Sequence, residues 1–242
     1  MEFMSDLRTA FHLAFAPKRG ASHAERLERF YARQAADYDR FRERLLHGRK
    51  EMFAALQMPD NGTWIDMGGG TGASLEFAGN RIATLMSATV VDLSPSLLNL
   101  ARKRIAVRGW KNCDAIEGDV TTYRPASNVD AVTFSYSLTM IPDWFKAIDH
   151  AFEVLGPGGL IGVVDFYVSR KHPLDDWKKH GWFTRSFWPV WFATDNVYLS
   201  PDHVPYLHDR FTPVHFTEGM GTVPLLAGMK VPYYIFIGRK RG

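Results

Sequence analysis

The ten residues Thr63–Gly72, TWIDMGGGTG, constrain this chain more than any other stretch. Trp64 and Ile65 read as a short apolar strand that runs through Asp66 into Gly68, Gly69, Gly70, Thr71 and Gly72. Glycines there let the backbone turn tightly and approach a ligand closely, with the N-terminus of the next helix facing it. Turns of this kind serve dinucleotides, nucleoside phosphates or adenosylmethionine; the bland alternative is a turn that merely packs a helix onto a strand. No Gly-Lys-Ser/Thr ending follows, which speaks against a P-loop, and GGGTG directly behind an acidic residue fits G-x-G-x-x-G poorly.

The acidic residues narrow the choice. A carboxylate at Asp66 would repel a pyrophosphate but could anchor a cationic amino-acid group. A second strand over Thr89–Val91 ends in Asp92, suited to the two hydroxyls of a ribose. The stretch Glu117-Gly118-Asp119-Val120 closes a third strand with a carboxylate able to accept from an adenine amine. Three strand-end carboxylates without a phosphate cradle favour adenosylmethionine.

A chain of 242 residues suits one α/β domain with decorations. The net charge of +3 is spread along the chain, so nucleic acid is not expected, while anionic lipid headgroups remain compatible. The single cysteine, Cys113, excludes an internal disulfide framework and reads as a buried strand residue. Neither a signal peptide nor an uninterrupted transmembrane run is apparent, so a cytoplasmic protein with optional membrane contact is expected. No metal-ligand spacing is found among the histidines.

Alternation of strands and helices predicts a mostly parallel sheet covered on both faces. Strands are expected at Ala88–Val91, Cys113–Glu117, Val129–Phe134 and Leu160–Val164, then at Phe211–Phe216 and Val231–Ile237. Glu218–Pro224 reads as a turn between the final pair, which places one edge strand against the parallel direction. Ser94-Pro95 signals a helix start, and that helix is expected to run to about Val107. His23–Lys50 reads as one long helix with Tyr31 and Tyr38 on a shared face, within an N-terminal helical cap over residues 1–58. Those tyrosines could orient an amine or hold a sulfonium, or be interfacial core. Residues 169–200 hold four of the seven tryptophans, Trp177, Trp182, Trp188 and Trp191, among Lys171, Lys178, Lys179 and Arg185. Such a stretch suits a membrane-contact insertion, a lid over the site, or ordinary core.

These residues resemble the class I adenosylmethionine-dependent methyltransferases, and more narrowly the bacterial betaine-lipid N-methyltransferases. The resembling stretches are RLERFYARQAADYDRFRERLLHGR within His23–Arg49, the glycine turn, VVDLSPSLL, SYSLTMIPDW at Ser135–Trp144, SPDHVPYLHDRF and KVPYYIFIGRK. The resemblance implies a Rossmann-like α/β fold with a mostly parallel seven-stranded sheet, forming one domain over residues 1–242. It implies that Asp66, Gly68, Gly70 and Gly72 hold the methionine end, Asp92 and Leu93 the ribose, and Asp119 and Val120 the adenine. Ser135 would lie at the same mouth, with Tyr31 and Tyr38 closing over it. Tyr38, Tyr136 and Asp165 are the implied catalytic candidates, as proton acceptors or orienters of an amine. The implied reaction is threefold methylation of diacylglyceryl-homoserine by a protein held at the inner face of the cytoplasmic membrane. A phosphatidylethanolamine, a soluble amine or a quinone is the alternative acceptor.

Overall fold

The computed structural model describes residues 44–224, 226 and 228–241. In chain order these form α1 (Arg49–Ala55), β1 (Thr63–Met67), α2 (Ala73–Ala78), β2 (Ser87–Asp92), α3 (Pro95–Arg108) and β3 (Cys113–Glu117). There follow β4 (Val129–Ser135), α4 (Trp144–Val154), β5 (Leu155–Phe166), α5 (Trp182–Ala193), α6 (His203–Arg210), β6 (Phe211–Thr222) and β7 (Lys230–Lys240). The seven strands make one sheet in the order β3-β2-β1-β4-β5-β7-β6. All pairs from β3 to β5 are parallel, while β7 runs antiparallel to both β5 and β6. This is the Rossmann-like class I methyltransferase fold.

The strands alternate cleanly between two apolar layers. In β1, Trp64 packs on one face with Met52, Phe53, Leu75 and Leu98, whereas Ile65 and Met67 join Val132, Ile148 and Leu207 on the other. Both faces are covered, which is why these strands read as near-continuous apolar runs. Helix α3 starts as its sequence dictates: Ser94 Oγ accepts from the Leu97 amide at 3.4 Å and Pro95 occupies the first turn.

Three expectations change. The antiparallel strand is β7, which sits inside the sheet, and the edge is β6; pairing between distant segments decides this, and local sequence carries no signal for it. Glu218–Gly221 lies within β6 and is not a turn, with Gly219 opposite Tyr233 and Gly221 opposite Val231. A Cβ at Gly219 would lie 2.4 Å from the Tyr233 ring, and one at Gly221 would lie 2.1 Å from the His47 ring. These glycines thus make room for two stacked rings whose centroids are 6.1 Å apart. Third, the helix expected over His23–Lys50 does not run through its C-terminal end. Gly48 adopts φ 77°, a left-handed conformation, and α1 begins after it. Residues 1–43 of the expected cap lie outside the described residues. Helix α6 was not anticipated, and half-buried Cys113 lies in edge strand β3.

Gly48 gives a test whose sign is informative. Alanine would stabilise a continuous helix, but here it meets a strained φ and the Tyr233 ring at 2.6 Å. Gly48→Ala is expected to lower the urea-derived unfolding free energy by about 1–3 kcal/mol. A gain in stability would show that the chain is helical through this position.

Candidate active site

The glycine turn leaves the C-terminal end of β1 through three left-handed positions, Gly68 (φ 68°), Gly70 (φ 55°) and Gly72 (φ 67°). Gly69 has an additional reason to lack a side chain: its Cβ would lie 2.4 Å from Asp66 Oδ2. The middle glycine of the GGG run is therefore required by the carboxyl beneath it. Asp66 itself is buried, and Thr133 Oγ1 donates to its Oδ1 at 2.7 Å. Thr133 in turn accepts from the Trp64 indole at 2.9 Å. Asp66 Oδ2 makes no well-formed hydrogen bond. Burial raises the Asp66 pKa to about 6, a rise held back by the Thr133 and Ser74 hydroxyls and the Arg49 guanidinium.

Asp92 braces the same turn. Its Oδ2 accepts from the Gly70 amide at 2.9 Å and its Oδ1 from the Ser94 amide at 2.9 Å. The carboxylate thus ties the turn to the start of α3, with half-buried Leu93 between. Asp119 is exposed and accepts at Oδ1 from the amide and hydroxyl of Thr121, at 2.8 and 2.7 Å. Val120 beside it is buried. The Gly118 amide reaches the Asp92 carbonyl at 3.0 Å, which brings the second and third strand ends together.

Beyond β4 the backbone is strained at Tyr136, a non-glycine residue at φ 56°. Its hydroxyl donates to the His47 carbonyl at 2.6 Å, and its ring meets Phe166 edge-on with centroids 4.6 Å apart. Burial and the Asp165 carboxyl hold the Tyr136 phenol well above its ordinary range, so it stays neutral. Asp165 is wholly buried near the end of β5. Its Oδ1 accepts from Thr139 Oγ1 at 2.8 Å and from the Phe166 amide at 2.8 Å. Burial lifts its pKa to about 7. Ser135 Oγ accepts from Arg49 Nε at 3.1 Å. Tyr31 and Tyr38 lie outside the described residues.

Arg49, Thr133 and Ser137 belong to this constellation although their sequence context did not single them out. Arg49 is buried at the first position of α1, its guanidinium 4.6 Å from the Phe77 ring centroid. Ser137 Oγ donates to the Met67 carbonyl at 2.9 Å and fills the space that a side chain at Gly68 would need. One signal for Arg49 was available: an arginine follows a helix-breaking glycine one helix before the turn. The Trp-rich segment separates in space. Trp188 is buried and Trp177 packs on His208 and Phe216, whereas Trp182 and Trp191 are exposed.

A methyltransferase-domain family matches residues 36–210. The ubiquinone/menaquinone biosynthesis C-methyltransferase UbiE of Bartonella bacilliformis is 32% identical over 54% of this chain and 54% of its own length. The mitochondrial 2-methoxy-6-polyprenyl-1,4-benzoquinol methylase of Caenorhabditis elegans is 25% identical over 64% of this chain and 57% of its own. The chain thus spans little more than half the length of these two relatives. Among solved structures, a phosphoethanolamine N-methyltransferase of Haemonchus contortus in complex with S-adenosyl-L-methionine superposes with a TM-score of 0.71 at 16% identity. That alignment covers 93% of this chain and 61% of the other. The diacylglyceryl-homoserine expectation is overturned: the similarity runs to quinone and other small-molecule methyltransferases, and the betaine-lipid motifs were too short to outweigh it.

The Asp66 titration has a measurable consequence in the ligand-free protein. Its pKa rises from 3.8 to about 6 on folding, so between these values the folded state holds more protons than the unfolded one. The contribution is fully present below about pH 4 and is lost as pH rises through about 6, amounting to about 3 kcal/mol. Asp66→Asn keeps the acceptor for Thr133 and removes the titration. Wild-type stability is therefore expected to fall relative to Asp66→Asn between pH 4 and pH 7 in chemical denaturation. Parallel curves would show that Asp66 stays ionised in the fold.

Proposed function

Because this chain belongs to the methyltransferase-domain family, we propose that it methylates a small organic acceptor of the quinol type with adenosylmethionine as donor. The observation that carries the donor is the glycine turn itself: three left-handed glycines and a fourth excluded from bearing a side chain, ringed by Asp66, Asp92 and Asp119. The acceptor class rests on the likeness to the two quinone-pathway relatives.

The residues present suit the donor. Asp66, with one oxygen lacking a well-formed partner beneath the turn, is the group for an ammonium, and Arg49 is the nearby cation for a carboxylate. The close backbone of Gly68, Gly70 and Gly72 would lie along the methionine end. Asp92, with Leu93, would accept from the ribose hydroxyls, while Asp119 and Val120 would border the adenine. Bound adenosylmethionine supplies a methyl made electrophilic by the sulfonium.

On the acceptor side, Ser135 and Tyr136 form the rim. Methylation at a ring carbon forms a C–C bond, breaks the S–CH3 bond with its electrons returning to sulfur, and releases one proton from the acceptor. Asp165, titrating near 7, is the group we assign to hold that proton, and the neutral Tyr136 orients instead of accepting. Holding both reactants aligned contributes the larger share of acceleration. A polyprenylated quinol resides in a bilayer, which makes peripheral membrane contact part of this reading; no helix among the described residues is long and apolar enough to cross a membrane.

Two measurements test this. Purified protein incubated with methyl-labelled adenosylmethionine and either a short-chain prenylated benzoquinol or phosphoethanolamine is expected to label the quinol, at carbon, by mass spectrometry. Label in phosphoethanolamine alone would replace the acceptor and keep the donor. Asp119→Ala is expected to weaken adenosylmethionine binding about tenfold by calorimetry, the scale of one charged hydrogen bond; unchanged affinity would remove Asp119 from the adenine site.

A further inference from the structure

Helix α5 presents to solvent a face that ordinary surfaces avoid. Trp182 is 75% exposed, Phe183 55%, Val190 73% and Trp191 42%, and no charged residue interrupts them on that side. Their rings are organised: Phe183 stacks on Phe187 with centroids 5.0 Å apart, and Phe187 stacks on Trp191 at 5.8 Å. This order runs inward as well. Phe187 meets Trp188 at 5.0 Å, Trp188 meets Phe192 at 5.7 Å, Phe192 meets Phe166 at 4.8 Å, and Phe166 meets Tyr136 at 4.6 Å. An unbroken file of aromatic rings thus joins the outer face of α5 to the strained residue at the rim of the site.

Resting on the reading of a polyprenylated acceptor, we propose that the outer face of α5 docks onto the surface of an anionic bilayer, with the packed aromatic file beneath it fixing that face relative to Tyr136. The composition fits an interface: tryptophan settles at headgroup depth, and helices with tryptophan and phenylalanine on one face lie in the membrane plane with that face buried. Charge fits as well. Lys171 and Lys179 are exposed in the segment that precedes α5, and half-buried Arg185 lies within it, against exposed Asp175 and Asp176. Arg170 is engaged with Asp202 and Lys178 with the Glu218 carbonyl, so exposed Lys171 and Lys179 are the cations this segment offers to lipid phosphate. The buried rings of Trp188, Phe192, Phe166 and Tyr136 make this face rigid, so docking would set the height of the site above the bilayer.

The test is flotation of the whole protein with vesicles of phosphatidylglycerol and phosphatidylcholine, without acceptor. Wild type is expected to float, and the triple variant Trp182→Ser, Phe183→Ser, Trp191→Ser to bind about tenfold more weakly or worse. The control pair Met86→Ser, Val107→Ser, at exposed apolar positions elsewhere, is expected to float like wild type. Thermal melting of each variant reports folding directly. Equal flotation of the triple variant overturns the proposal. So does a concentration-dependent dimer in sedimentation that the triple variant abolishes while vesicles capture neither protein, because the face would then cover a second copy. The acceptor reading fails separately: a wild type that floats but methylates no water-soluble quinol loses the acceptor and keeps the docking face. Turnover of that quinol without flotation removes the docking face alone.

Discussion

The site depends on a carboxyl group held out of water. Asp66 sits under the glycine turn with one oxygen satisfied by Thr133 and the other facing Gly69. Removing a carboxylate from water is costly unless its lone pairs are met, and here they are met on one side only. The chain offsets this in three ways. Thr133 is held in place by the Trp64 indole, Arg49 lies close by as a buried cation, and the carboxyl titrates near neutrality. The turn above can descend this far only because none of its glycines carries a Cβ.

Much of this was legible in the sequence because its causes are local. A strand end followed by glycines, an acidic residue at the next strand end, and a serine-proline helix start each encode their own geometry, and the fold class follows from their alternation. The missed features depend on contacts between segments far apart. Gly219 and Gly221 look like turn residues, yet they are small because Tyr233 and His47 lie across from them. Gly48 sits in a pattern that is helical by periodicity, and it breaks the helix because the chain must turn at that point to bring Arg49 onto Phe77. Arg49 is one of several arginines in that stretch, and only its place directly after Gly48 sets it apart. The acceptor was the least legible part. Short motifs such as SYSLTMIPDW specify packing as readily as chemistry.

The two acidic candidates on either side of the mouth show how one element type serves different purposes. Both oxygens of each receive a backbone amide, but half-buried Asp92 uses them to tie the glycine turn to α3. Asp165 is wholly buried and shifted to a pKa of about 7, so a small change in its surroundings decides its charge. Tyr136 lies between these regimes: its hydroxyl is committed to His47, and its value to the site is the direction in which a left-handed backbone points its ring.

The placement of β7 between β5 and β6 has a consequence for how the sheet is assembled during synthesis. Strands β1 to β5 can pair as soon as they leave the ribosome, but β5 then presents an open row of amides and carbonyls along Leu160–Phe166. That edge stays uncovered while α5, α6 and β6 are made, because its partner is the final strand in chain order. An interval of this kind is when a sheet is most exposed to pairing with a neighbouring chain. The Val223 amide donates to the Met229 carbonyl at 3.0 Å, a closure that sets β7 against β6 and lets the two meet β5 together.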